Sequence, residues 1–268
     1  MKAVAAVGDN VADIYPSLGC LFPGGNALNV AVAARRAGVN AAYLGAIGTD
    51  GPGRAIKAAL DAEGVSTDHL RVVEGPNAYS VVELDGGDRG FVAYDLGVSR
   101  FALEDVDLEY LARFDCVHSG ARSGTEGRLG EIASFARVSF DFSDRPSGYY
   151  EPLLDTVWMA CFSGTRLDPP GVDDLTRRAL RAGPEIVLVT EGPRGARLST
   201  ASGETVHVGA NPATPLDTLG AGDAVIGTVL AGVLRGDDLV GIMSSAMSVA
   251  AQVCAHHGAF GHSQALAR

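Results

Sequence analysis

Hydrophobic and polar positions follow two different periods along the chain. Short apolar runs that end in glycine or polar residues predict buried parallel strands, and longer stretches of small or helically spaced apolar residues predict helices. The predicted strands span 2–7, 41–47, 115–118, 138–142, 157–162 and 186–190, with others near Arg197 and Val206. The predicted helices span 25–37, 50–64, 104–113, 125–135, 173–182, 221–234 and 239–256. This order predicts an α/β fold, a mostly parallel sheet covered by helices on both faces.

A different pattern interrupts this order between about residues 71 and 95. Two stretches, 78–85 and 89–95, alternate polar and apolar residues and are joined by Gly86 and Gly87, which predicts a β-hairpin. Neither an internal repeat nor a long linker divides the chain. The sequence therefore predicts one domain, residues 1–268, that carries a small β flap.

Composition narrows the classes of function. The chain has 268 residues, 47% of them hydrophobic, and a formal net charge of -11, so it can bury a core and repels a nucleic-acid backbone. The four cysteines contain no C-x-x-C pair, and the N-terminal apolar run is too short for a signal peptide. Because no apolar run is long enough to cross a bilayer, we expect a cytoplasmic protein with neither a membrane nor a nucleic-acid partner.

The strongest chemical signal is the segment 217–224, DTLGAGDA, directly before an apolar helix. Gly220, Ala221 and Gly222 leave the backbone bare, so N–H groups at the helix start can point at one anion such as a phosphate. Asp223 lies in the first helical turn, where a carboxylate can accept the proton of an attacking alcohol. These parts suit phosphoryl transfer. A glycine turn in which Asp223 only stabilises the helix dipole is the alternative.

A second motif, GGNALN at 24–29, enters an Ala- and Val-rich helix. Asn26 and Asn29 are three residues apart and share a face, and burying their amides is costly unless they are hydrogen-bonded. A polyhydroxy ligand can supply those bonds, and Asp9 and Asp13 after the first strand add carboxylates suited to sugar hydroxyls. The alternative is that Asn26 caps the helix and Asn29 bonds to a loop, while the two acids are solvated.

A third motif, TEGPRG at 190–195, is a glycine-rich turn at the carboxyl end of a strand. Such a turn can lie against nucleotide phosphates, although a simple turn is the commoner occurrence. The sequence lacks G-x-x-x-x-G-K-[ST], a strand-linked G-x-G-x-x-G and an H-R-D loop, which argues against P-loop, dinucleotide-binding and protein-kinase sites.

Together, the motifs at 24–29 and 217–223 resemble the two signatures of the PfkB (ribokinase-like) carbohydrate kinases, in order and in separation. The resemblance covers essentially the whole chain. The segments 7–16, 140–144 and 257–260 are similar to the fructoselysine 6-kinase branch of that family. The resemblance implies a three-layer α/β/α sandwich with a small β-sheet lid formed by about 10–17 and 71–98.

The resemblance also implies an activity: ATP would donate its γ-phosphoryl group to O6 of a fructosamine such as fructoselysine. Asp223 would be the general base, with an anion hole at Gly220, Ala221 and Gly222. The implied sugar contacts are Asp9, Asp13, Gly24, Gly25 and Asn29, with the lid residues Tyr79, Glu83, Arg89 and Tyr94 reading the C1 substituent. The implied nucleotide contacts are Thr190, Gly192, Gly195, Asp217 and Gly222. Mg²⁺ would accompany ATP, with Asp141 as a candidate contact, and Asp217 and Leu219 fall where relatives bind K⁺.

One departure from the family pattern leaves alternatives open. The N-x-x-E element expected after strand 157–162 reads Ser163-Gly164-Thr165-Arg166 here, so the usual magnesium-water network loses its glutamate. A kinase of a free sugar, of the fructokinase or ribokinase type, and a catalytically silent sugar or nucleotide sensor are the alternatives. The exposed edge of a lid sheet can pair between subunits, so we also expect a homodimer.

Overall fold

The computed structural model describes residues 1–85, 88–212 and 214–266, and it leaves the side chains of 84, 85, 88 and 89 undescribed. The strands are β1 Ala3–Val7, β2 Val11–Tyr15, β3 Cys20–Gly24, β4 Asn40–Leu44, β5 Ala46–Gly48, β6 Arg71–Val73, β7 Tyr79–Asp85, β8 Asp88–Asp95, β9 Cys116–Gly120, β10 Arg137–Ser143, β11 Met159–Ser163, β12 Ile186–Thr190, β13 Ala196–Thr200, β14 Thr205–Val208 and β15 Gln264–Ala265. The helices are α1 Asn26–Arg36, α2 Gly51–Glu63, α3 Asp105–Leu111, α4 Leu129–Ala133, α5 Ser147–Tyr150, α6 Pro169–Ala182, α7 Ala221–Arg235 and α8 Leu239–Val253.

The main sheet has eight strands in the order β14-β13-β12-β11-β10-β9-β1-β4. The six strands from β4 to β12 pair in parallel, and β13 and β14 continue the sheet antiparallel. Successive residues of one strand point to opposite faces. Val187 accordingly packs in a core with α4 and α6, and Leu188 packs in another core with α1, α7 and α8. The predicted fold class, a mostly parallel sheet between helical layers, is confirmed.

A separate small sheet has five strands in the order β15-β3-β2-β7-β8, and we call it the small sheet. It contains the predicted hairpin, whose turn at Gly86 and Gly87 lies outside the described residues. β3 and β15 were not predicted, because Pro23 and Gly24 break the apolar run of one and the other has only two residues. Residues 71–73, expected in the lid, instead form β6, which pairs with β5 in a two-stranded sheet.

The predicted strand 41–47 is divided into β4 and β5 at Gly45. A Cβ at Gly45 would lie 2.1 Å from the Tyr43 hydroxyl and 2.7 Å from the Gly8 carbonyl oxygen, so the chain turns there in close contact with its neighbours. The predicted helix 125–135 is a short 3-10 turn followed by α4, and α6 begins at Pro169 because the Asp168 carboxylate caps it through the Gly171 N–H.

A buried amide network joins the small sheet to the main one. Asn10, between β1 and β2, donates to the Tyr43 hydroxyl at 3.0 Å and to the Ala46 carbonyl at 2.7 Å. The Asn77 side chain donates to Asn10 Oδ1 at 3.1 Å, just before β7 begins. Because buried amides are costly unless they are paired, this network fixes the starts of β2 and β7 against the main sheet.

Close packing of α1 on α7 sets the position of both helix starts. A Cβ at Gly227 would lie 2.5 Å from the Ala33 Cβ and 2.8 Å from the Val30 carbonyl oxygen, so a glycine in α7 permits this approach. The small residues of the 25–37 pattern are therefore a helix–helix interface. No helix in the described part of the chain is both long and apolar enough to span a membrane.

Candidate active site

Polar side chains converge where the parallel strands end. Asp9 follows β1, Gly120 ends β9 and Asp141 lies near the end of β10, all at the carboxyl edge of the main sheet, where ligand sites of open α/β sheets form. The starts of α1 and α7 lie over the same edge. A Cβ at Gly120 would lie 2.5 Å from Asn26 Oδ1, so a glycine at this position permits the start of α1 to pack closely against the strand ends.

Asp223, in the first turn of α7, is held by both asparagines of the GGNALN motif. Asn26 Nδ2 donates to Asp223 Oδ1 at 2.8 Å, and Asn29 Nδ2 donates to Asp223 Oδ2 at 2.7 Å. Both amides therefore stabilise the ionised carboxylate in one orientation. The two motifs lie about 190 residues apart in the sequence and meet in one cleft. Asn26 was not among the expected sugar contacts, although its shared face with Asn29 was the signal for it.

A second carboxyl group, Asp141, shares the amide of Asn26. Asn26 Nδ2 donates to Asp141 Oδ2 at 2.9 Å, and the Ser143 N–H donates to Asp141 Oδ1 at 2.7 Å. Burial raises the pKa of Asp141 to about 7, and the nearby Asp223 carboxylate adds to the rise. The site therefore contains a pair of acids that differ in environment, with an amide between them.

Asp9 is engaged at the start of α1. Its carboxylate accepts from the backbone N–H of Asn26 at 2.9 Å and of Ala27 at 3.2 Å, and from the Ser123 hydroxyl at 3.0 Å. These contacts are those of a helix cap that satisfies the first N–H groups and stabilises the positive end of the helix. The sequence left open that Asn26 caps this helix, but the capping side chain is that of Asp9. The expected contact of Asp9 with a sugar stays a prediction.

The predicted anion cradle is the start of α7. Gly220 takes φ 75°, and a Cβ there would lie 2.3 Å from the Ala259 Cβ. At Gly222, by contrast, a Cβ would meet nothing within 4 Å. The first N–H groups of a helix have no acceptor within the helix. The Ala221 N–H makes a long hydrogen bond to the Thr218 carbonyl oxygen at 3.3 Å, whereas Gly222 borders open space beside Asp223, in the helical turn whose first N–H groups suit an anion.

Asp13 lies on the face of the small sheet that packs onto the main body. Its carboxylate accepts from the Ser80 hydroxyl at 2.5 Å, and a Cβ at Gly24 would lie 2.3 Å from its Oδ2. Gly25 takes φ 113°, and a Cβ there would lie 2.6 Å from the Asn10 Cα. Both glycines of the motif thus lie where a side chain would clash, Gly24 with Asp13 and Gly25 with the backbone at Asn10.

The four expected C1-reading residues do not share one face. Directly opposed residues of paired strands point the same way, so Tyr94 shares the face of its partner Ser80, which contacts Asp13. Tyr79 and Glu83 alternate with Ser80 and lie on the other face. The side chain of Arg89 lies outside the described part of the chain. Tyr94 is therefore the one described side chain of the four on the face of Asp13, and the substrate contacts of all four stay predictions.

Asp217 ties three segments together. Its Oδ1 accepts from the Leu219 N–H at 2.9 Å, and its Oδ2 accepts from the Tyr15 hydroxyl at 2.5 Å and from the Gly258 N–H at 3.1 Å. Tyr15 belongs to β2 of the small sheet, so this carboxylate couples that sheet to the α7 cradle. The sequence pattern did not single out Tyr15, because a tyrosine at the end of a short strand is most often part of a core.

The TEGPRG turn lies after β12, at the same edge of the main sheet as Asp141. Gly192 and Gly195 take φ 58° and 99°, and the Glu191 N–H donates to the Gly195 carbonyl at 2.7 Å. The Thr190 hydroxyl donates to the Phe162 carbonyl at 3.3 Å. In place of the family's glutamate, Arg166 is 88% exposed and pairs with Asp144 at 3.4 Å. The expected nucleotide contacts here stay predictions.

Comparisons with known proteins point to one family. A model of the pfkB family carbohydrate kinases matches residues 17–265. The fructosamine kinase FrlD of Bacillus subtilis is 36% identical over 268 residues, which cover 98% of this chain and 94% of that protein. The fructoselysine 6-kinase of Escherichia coli is 33% identical over 267 residues, covering 97% and 100%. A putative ribokinase II from Escherichia coli, solved with ATP and Mg²⁺, superposes with a TM-score of 0.83 at 20% identity over 97% of this chain and 94% of its own.

Proposed function

Because this chain belongs to the pfkB family of carbohydrate kinases, and is an ATP-dependent sugar kinase, we propose that its acceptor is a fructosamine. The reaction is transfer of the γ-phosphoryl group of ATP to the O6 hydroxyl of a fructose that carries an amino acid on C1. The two relatives named for fructosamine and fructoselysine kinases, each similar over nearly the full chain, support this substrate class.

The observation that carries the proposal is the position of Asp223. Its carboxylate lies in the first turn of α7, beside the open space at Gly222, and Asn26 and Asn29 hold both of its oxygens. A base must lie within hydrogen-bonding reach of the hydroxyl it deprotonates, and an anion site must lie at the other side of the reacting oxygen. The start of α7 provides both from neighbouring residues.

In the proposed reaction, Asp223 accepts the proton of O6–H as O6 attacks the γ-phosphorus. The bond from phosphorus to the bridging oxygen breaks, and ADP leaves with that electron pair. The N–H groups at the start of α7, from Gly220 to Gly222, stabilise the charge on the equatorial phosphoryl oxygens. The two amides on Asp223 keep the carboxylate aimed at the acceptor, which favours a productive geometry before the reaction begins.

The sugar contacts that we propose are Asn29 and Asp13. Asn29 is buried, its Nδ2 is used by Asp223, and its Oδ1 has no hydrogen-bond partner within the described protein. A buried acceptor without a partner is costly, and a sugar hydroxyl would satisfy it. Asp13, buried on the inner face of the small sheet, would accept from a second hydroxyl, and Tyr94 on that face would lie toward the C1 substituent.

ATP and Mg²⁺ fit this site as a pair. No group of three or more His, Cys, Asp or Glu side chains placed to hold a metal occurs among the described residues. Mg²⁺ bound to nucleotide phosphates keeps several waters and needs only one or two carboxylates. Asp141 is the carboxyl group that we propose beside it, and the turn with Thr190, Gly192 and Gly195 would hold the nucleotide. Bound Mg²⁺ would supply charge neutralisation on the phosphates.

Two further properties complete the proposal. Potassium activation through Asp217 and Leu219 rests on the family resemblance, and exchanging K⁺ for Na⁺ in the assay tests it. A homodimer would form through the outer strand β8, where Val92 is 55% and Tyr94 77% exposed. Sedimentation tests this dimer: the wild type should sediment as a dimer and Val92→Lys as a monomer. A wild type that sediments as a monomer would contradict the proposed dimer.

Asp223→Asn tests the base. Removing a general base commonly lowers the rate 10²–10⁴-fold, so we expect kcat to fall by about that factor. Asp238→Asn makes the same chemical change at the start of α8, where asparagine also caps a helix, and it should leave kcat unchanged. If Asp223→Asn kept turnover within about tenfold of the wild type, the base assignment would be wrong.

A substrate panel tests the acceptor separately. ADP release is measured with fructoselysine, other fructosamines, fructose and ribose, each with Mg²⁺ and K⁺. The proposal expects kcat/KM for a fructosamine to exceed that for every free sugar by more than tenfold. A preference for fructose or ribose would identify a free-sugar kinase, and tight sugar binding by calorimetry with no turnover would identify a sensor.

A further inference from the structure

A buried histidine lies beneath the amide of Asn26. His118, on β9, is fully buried, and its direct partner across the parallel ladder is Ser139 on β10. His118 Nδ1 lies 3.0 Å from Ser139 Oγ, and His118 Nε2 lies 3.4 Å from Asn26 Oδ1. The chain of contacts therefore runs from inside the sheet to the amide that touches both acids. None of the three sequence motifs contains His118 or Ser139.

The hydrogen-bond partners determine which imidazole nitrogen carries the proton. Burial lowers the pKa of His118 to about 3, so the ring is neutral and has a single N–H. Asn26 Oδ1 can only accept, while the Ser139 hydroxyl can donate. The consistent arrangement is the Nε2–H tautomer, which donates to Asn26 and accepts from Ser139 at Nδ1.

The same hydrogen bond stabilises one orientation of the Asn26 amide. With Oδ1 held by His118, the amide turns its NH₂ group toward the two carboxyl groups, to Asp223 Oδ1 at 2.8 Å and to Asp141 Oδ2 at 2.9 Å. A flipped amide would place an oxygen against two acids and an NH₂ against an N–H. Without His118, a flip of the Asn26 amide would cost less free energy, because no N–H group beneath the amide would oppose it.

We propose that His118 is a positioning residue: supported by Ser139, it orients the amide of Asn26 so that this amide donates to the general base Asp223. This inference rests on the proposed role of Asp223. It assigns no contact with substrate to His118 and makes the preorganisation of the base depend on a residue buried in the sheet. A polar chain of this kind acts only as a unit, since each member is satisfied by the next.

A double-mutant cycle tests the proposal with whichever acceptor the panel identifies. We expect His118→Phe to lower kcat at least tenfold with KM for ATP within about twofold, and His118→Gln, whose amide can reach Asn26, to restore kcat to within about fivefold of the wild type. In an Asn26→Ala background, His118→Phe should change kcat less than twofold. Equal losses for Phe and Gln, or a full loss in the Asn26→Ala background, would overturn the proposal.

The wild-type enzyme provides a second test that does not depend on the folding of any variant. Nitrogen-15 NMR of the histidine rings distinguishes the two neutral tautomers, and the His118 signal is the one missing from His118→Gln. The Nε2–H tautomer is expected at neutral pH. The Nδ1–H tautomer or a charged ring would overturn the proposal. Asp223→Asn is assayed in parallel, so that failure of the base assignment is seen separately.

Discussion

The glycines at the start of α7 allow the proposed anion cradle to be tested apart from folding. Gly220 and Gly222 lie two residues apart, but a methyl group would have different effects at each. At Gly222 the methyl group would project into open space, whereas at Gly220 it would lie 2.3 Å from the Ala259 Cβ. Gly236, just after the same helix, takes φ 80° with nothing within 4 Å of a Cβ, so it provides the backbone control.

The magnitudes follow from these environments. Gly236→Ala should lower the unfolding free energy by about 1–2 kcal/mol, the cost of placing a residue with a Cβ in the left-handed conformation. Gly220→Ala adds a clash with Ala259 to the same conformational strain, and overpacking costs about 1–3 kcal/mol, so the sum is about 2–5 kcal/mol. Gly222→Ala should leave stability equal or raise it by up to about 1 kcal/mol, because alanine is the better helix former. Its methyl group would nevertheless occupy the space proposed for the phosphoryl group.

Thermal unfolding and steady-state kinetics of the three variants separate the two effects. For a chain of this size, 1 kcal/mol shifts Tm by about 2–4 °C. We expect Gly222→Ala to unfold at or above the wild-type Tm while kcat falls about 10²–10³-fold, the usual cost of losing an oxyanion donor. Gly236→Ala should lose stability but keep kcat. Wild-type kcat in Gly222→Ala would refute the cradle, because that space would then not hold the transferred group.

The pH dependence of stability and the α1 cap give two more predictions. Because the folded pKa of Asp141, about 7, lies above its unfolded value of 3.8, the folded state binds more protons between these values and unfolding free energy falls as pH rises through them. The unfolding free energy of Asp141→Asn, relative to that of the wild type, should therefore rise by about 2 kcal/mol from pH 5 to pH 8 in urea titrations without metal. If the difference between the two proteins stayed constant with pH, the raised pKa of Asp141 would be contradicted. Asp9→Ala should lose about 0.5–2 kcal/mol as a helix cap, and Ser123→Ala, which leaves the contacts of Asp9 to Asn26 and Ala27, should lose less; equal losses would contradict the capping role.

Local pattern accounts for much of what was predicted. Local sequence predicts the strands β1, β10 and β12 and the glycine that ends α2, because buried parallel strands and left-handed C-caps have strong local signatures. Local sequence does not predict the division at Gly45 or the strand β3. Their cause is contact with residues far away in the sequence, such as Gly8 beside Gly45, and no local period records such a contact.

The candidate site divides in the same way. The sequence by itself determined which groups are available: bare amides and an acid at the start of α7, and two amides on one face of α1. Only the tertiary structure decided their partners. The Gly227 contact brings α1 against α7 and places both amides on Asp223, and the approach of α1 to the end of β1 engages Asp9 as a cap. The physical reason is that side-chain spacing along one helix or strand is fixed by its own period, whereas hydrogen bonds between elements depend on how closely their backbones approach.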